Sequence, residues 1–104
     1  MVIDDIRDLL AAPGRAASRT FLERVDSTLT DGYAQALQLE GERWRIERRI
    51  AEVVAGLPAD ADQDHEPELV DLAERLRSSN ESIETLRALL TSLRERRSEL
   101  RNAA

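Results

Sequence analysis

The sequence contains no cysteine, and all fifteen of its basic residues are arginine. Without thiols there is no disulfide framework and no thiolate metal site, and the chain suits a reducing compartment. The missing lysine reads as codon bias in a GC-rich, bacterial genome. Only one Phe, one Tyr and one Trp occur in 104 residues. A core must therefore be made of Leu, Ile, Val and Ala, a palette for packing helices and not for a β-sandwich. No apolar run approaches membrane-spanning length, and the opening "MVIDDIRDLL" is acidic where a secretory signal is basic. The expectation is a cytoplasmic protein with no membrane association.

The absences extend to chemistry. With a single histidine in an acidic stretch, no Ser-His-Asp triad can be assembled. Glycine-rich phosphate loops are missing, and no E-x-x-H occurs, which removes the di-iron chemistry that helical hairpins often host. No cofactor is implied, and the chain is read as not an enzyme. His65 sits in "DADQDHEPE", where a weak divalent-cation site is conceivable, although the EF-hand spacing is missing. A solvated turn is the better reading of that stretch.

What the sequence does have is amphipathic helix. Hydrophobic residues make up 41% and charged residues 35%, with a net charge of −6. This is too apolar for disorder and more charged than most compact globules. The length allows one domain, residues 1–104. "VIDDIRDLLAA" predicts a short helix at about 2–12, with Ile3, Ile6 and Leu10 on one face and Leu9 beside them. Pro13 and Gly14 end it. Ser18 or Thr20, with Glu23, can cap a long helix running over about 20–56. An acidic loop at 57–66 follows. Pro67 then opens a second long helix at about 67–101, with acidic residues in its first turn and arginines in its last, as the helix dipole prefers.

Both long helices carry a seam. Leu22, Val25, Leu29, Gly32, Ala36, Leu39, Arg43, Ile46, Ile50, Val53 and Leu57 alternate in steps of three and four. Leu69, Leu72, Leu76, Ser79, Ile83, Leu86, Leu90, Leu93, Arg97 and Leu100 do the same. A pattern sustained over about five heptads predicts an all-α fold, a long antiparallel coiled-coil hairpin preceded by a short N-terminal helix. Setting Leu29 against Arg97, Gly32 against Leu93 and Ile50 against Leu76 brings Asp26 opposite Arg101, Tyr33 opposite Arg94, Glu40 opposite Arg87, Glu47 opposite Asn80 and Val54 opposite Ala73. Opposite charges then meet along that flank without a clash. Arg97 would also lie within reach of Asp4, Asp5 or Asp8.

The opposite flank sets Arg49 against Arg75, with Arg48 and Arg77 nearby. These four arginines are either a solvated face or a patch for an acidic partner. The stretches "RWRIERR" and "RERRSELR" suggest nucleic acid at first sight. Their arginines, however, are spread around the helix and interleaved with Glu in an acidic chain, so no nucleic-acid partner is expected.

Trp44 lies one residue past the seam and cannot face the partner helix. Tyr33, Leu37, Trp44, Ala51 and Val54 form a second apolar stripe at the outer helix positions, and a helix with two apolar stripes is usually covered on both sides. Burying a Trp and its neighbours is worth on the order of 2–3 kcal/mol. A ten-residue helix spans only ~15 Å, too short to reach Trp44 from the open end of the hairpin. The cover is then another chain, most simply a second copy. The competing reading lays Trp44 flat under the stems of Arg45 and Arg48 with cation–π attraction.

In length and helix–turn–helix layout the chain resembles the small type VII secretion substrates. Those carry W-x-G in the central turn, whereas Trp44 here is followed by Arg45 and Ile46 and the turn reads "GLPADADQDHEP". The amphipathic hairpin is similar in pattern to flagellar export chaperones. No residue role is carried over from either. The residues themselves point to a non-catalytic protein-interaction module that works through helix–helix contacts and self-associates as a homodimer, dimerising into a helical bundle. The alternatives are a small chaperone or adaptor for a helical, for example secreted, client protein, and a weak divalent-cation binder acting through the acidic loop.

Overall fold

A computed structural model describes residues 1–12, 19–56 and 65–103. Among these residues the protein is all helical. Helix α1 covers Val2–Ala11, α2 Arg19–Gly56 and α3 Glu66–Ala103. The expected all-α architecture is present, and α2 packs against α3. Ser18 and the stretch 57–64, which carries most of the acidic loop, lie outside the described residues. None of the described helices is long and apolar enough to cross a membrane.

The chain forms two compact units. The first, Met1–Leu37 with Glu84–Ala104, joins α1, the first half of α2 and the second half of α3. Its core is Ile6, Leu9, Val25, Leu29, Ala36, Leu86, Leu90, Leu93 and Leu100, all buried. Apart from the two residues of α1, each was a seam position in the sequence. α1 docks through Ile6 and Leu9, while Ile3 and Leu10 are only half-buried. The buried face of α1 thus turns about one residue away from the expected Ile3–Ile6–Leu10 line. α1 begins without a side-chain cap, and its backbone is tied by Asp5 N–H donating to the Met1 carbonyl at 3.0 Å.

The pairing in this unit is antiparallel, and its cross-helix contacts divide between the expected register and one about a turn away. Asp26 pairs with Arg97, not Arg101. Gly32 packs closely against Leu90. A Cβ at position 32 would collide with a methyl of Leu90 and would stand 3.6 Å from Ile6 Cδ1. Only glycine lets Leu90 and α1 close on α2 at that point. Arg97, at a seam position, swings to Asp26 and does not reach the acidic residues of α1. Tyr33 accepts a hydrogen bond from Arg94 at 3.5 Å, the one cross-helix pair in this unit that falls where the pattern set it.

The second unit, Gln38–Ile83, is a two-helix packet. Ile46, Val53 and Leu72 form its buried cluster, with Ile50, Leu69 and Leu76 only partly buried against it. Arg43 donates to Asn80 Oδ1 at 3.3 Å, again one turn from the expected Glu47–Asn80 pair. Arg49 reaches Glu68 at 2.7 Å. No third helix belongs to this unit, and two helices cannot enclose each other's apolar faces. Half of its seam therefore stays in contact with solvent.

Candidate interaction site

The five residues of the second apolar stripe all lie on α2 and all are exposed. In the first unit Tyr33 is 43% and Leu37 71% exposed. In the second, Trp44 is 58% and Val54 51% exposed, with Ala51 exposed on the same helix. Trp44 and Ala51 are seven residues apart, two turns of one helix face, and Val54 follows three residues later.

Trp44 is not bare. The Arg48 guanidinium carbon stands 5.3 Å from the ring centroid, within cation–π range. Arg48 also reaches Glu52 at 3.4 Å, which fixes its stem along the helix. This is the arrangement that would hold the indole flat against its own helix, yet more than half of the side chain remains in water. That exposed part of the indole is apolar surface a partner could cover.

The four arginines of the opposite flank divide. Arg48 serves Trp44 and Glu52. Arg49 bonds Glu68 at 2.7 Å and Glu52 at 3.7 Å. Glu68 holds the Arg49 guanidinium above its ordinary range, first by the hydrogen bond and then by its charge. The raised pKa keeps the Arg49 guanidinium charged until strong alkali, so its own titration does not switch the pair near neutral pH. Arg77 is exposed. Arg75 lines a cleft between α2 and α3.

That cleft, about 710 Å³ and confined to the second unit, brings Arg45, Arg49 and Arg75 together with Ser78, Ser79 and Ser82 over Leu39, Ile46 and Leu72. Glu42 also lines it. The Ser79 hydroxyl is buried without a hydrogen-bond partner among the described residues. No family model matches this chain, and no curated protein or solved structure matches it either. Function must be argued from the surface itself. Sequence reasoning singled out Arg49 and Arg75 but missed Arg45 and the three serines. The signal was present: Ser78, Ser79 and Ser82 follow Arg75 at helical spacing, where a well-filled seam flank would carry larger residues.

A smaller hollow in the first unit is lined by Asp5, Asp8 and Leu9 of α1 and by Arg24, Ser27 and Thr28 of α2. It marks where α1 lies along α2. Among the described residues no group of three or more metal-ligating side chains converges. Of the acidic loop at 57–66, considered for a weak cation site, 57–64 lie outside the described residues; His65 is half-buried and its carbonyl accepts from Leu69 N–H at 3.0 Å.

Proposed function

We propose that this protein is a cytoplasmic, non-catalytic interaction module whose exposed apolar face on α2 is covered by a second copy of the chain, through coiled-coil-like helix packing. The observation that carries this reading is the exposure of Trp44, 58%, in a packet of only two helices. In the first unit α1 supplies the third side and the core closes. In the second unit Ile50, Leu69 and Leu76 stay partly buried, and Trp44, Ala51 and Val54 add to the uncovered apolar surface. Two such packets placed face to face would make a four-helix layer, the common way for an incomplete hairpin to finish its core. A symmetric contact needs no partner beyond the chain itself.

Trp44→Ala tests it. Truncating an anchor at the centre of an interface is expected to weaken the dimer by roughly tenfold or more, while an exposed side chain leaves the monomer fold within about 0.5 kcal/mol of the parent. Light scattering reads the first effect and circular dichroism with chemical denaturation the second. A chain that is monomeric at micromolar concentration, and pairs only with a helical client, would replace self-association with the chaperone or adaptor reading.

A further inference from the structure

We infer that the cleft of the 38–83 unit is a binding site for a phosphate monoester, its phosphate held by Arg45 and Arg75 and its organic part resting on Leu39, Ile46 and Leu72. This goes beyond self-association and concerns a different surface from the Trp44 face. Three guanidinium groups and one carboxylate, Glu42, line the cleft, in a chain whose net charge is −6. Arg49 is already committed to Glu68 and Glu52. Arg45 and Arg75 have no acidic partner among the described residues, and both line this one space. Planar guanidinium forks fit the oxygens of a phosphate in pairs and bind them more strongly than neutral donors do.

The hydroxyls point the same way. Ser78 and Ser82 line the same space and add donors suited to a tetrahedral anion. The volume, about 710 Å³, lies within the ~300–1,000 Å³ common for small-ligand sites and far exceeds what a bare phosphate would fill. The floor beyond the arginines is aliphatic, so the remainder of the ligand is apolar. A polyanion such as nucleic acid is disfavoured by the acidic surroundings.

The test is calorimetric titration of the full chain at low ionic strength with phenyl phosphate, inorganic phosphate and phenol. Phenyl phosphate should bind more tightly than inorganic phosphate, and phenol should give no saturable heat. Arg45→Gln and Arg75→Gln should each weaken phenyl phosphate about tenfold, the loss of one charge-assisted contact. Arg75→Lys, which keeps the charge and removes the fork, should weaken it as well. Ser82→Ala should weaken it severalfold. Arg101→Gln, on the other unit, should leave it unchanged. No saturable binding to the folded chain, equal affinity for inorganic phosphate, or equal weakening by Arg101→Gln would overturn the assignment. Because the readout is ligand affinity and not oligomeric state, its failure would leave the self-association proposal standing.

Discussion

Gly32 and Gly41 are both helix-interior glycines on α2, and their surroundings give them opposite roles. A Cβ at Gly32 would run into Leu90, itself only 2% exposed and unable to move outward. Overpacking of that kind costs about 1–3 kcal/mol, against about 1 kcal/mol regained in helix propensity. Gly32→Ala should therefore destabilise the protein by about 1 kcal/mol, read as a lower urea midpoint. At Gly41 the nearest atom is Arg45 Nη1 at 3.8 Å, an ordinary contact with a flexible side chain. Gly41→Ala should raise the midpoint, by up to about 1 kcal/mol. If both substitutions stabilise, Leu90 is not seated where the structure places it. The residue scale also explains why Trp44 misled neither reading completely: Arg48 covers one face of the ring, and the rest of the indole stays available.

At the scale of the helices, Asp26–Arg97 is the cross-helix pair that departs from the expected Asp26–Arg101, and a double-mutant cycle can measure it. Both side chains are substantially exposed, at 50% and 32%, so the coupling between Asp26→Asn and Arg97→Gln should be at most about 1 kcal/mol and should fall with added salt. Zero coupling at low salt, with Asp26 instead coupled to Arg101, would restore the register expected from pattern alone. The seam itself was legible in the sequence. Every described seam position of α2 and α3 is buried or half-buried, including the polar Arg43, Ser79 and Arg97, because a repeat sustained over many turns leaves little choice of face. Register was not legible. Sliding one helix past the other by a turn keeps apolar residues against apolar residues, so the pattern set Tyr33 against Arg94 as found but Asp26 against Arg101 where the structure pairs it with Arg97. Nor was the cleft, which depends on how α2 and α3 pack around Arg75, Ser78 and Ser82. The stripe residues, by contrast, were placed by periodicity alone.

At the scale of the whole molecule, two forces act on self-association with opposite signs. Apolar burial around Trp44 favours it. The net charge of −6 on each chain opposes it through long-range repulsion, which is screened as the Debye length falls from ~30 Å at 0.01 M to ~8 Å at 0.15 M ionic strength. Raising the salt over that range should therefore tighten the dimer. A dimer that loosened with salt would instead rest on ion pairs between the chains, with the arginine flank as the contact. The most direct measurement is the mass of the native chain by size exclusion with light scattering, from high to low micromolar concentration at physiological salt. Self-association predicts twice the chain mass of 11.7 kDa at the high end, with dissociation on dilution. A mass of 11.7 kDa at every concentration would contradict it.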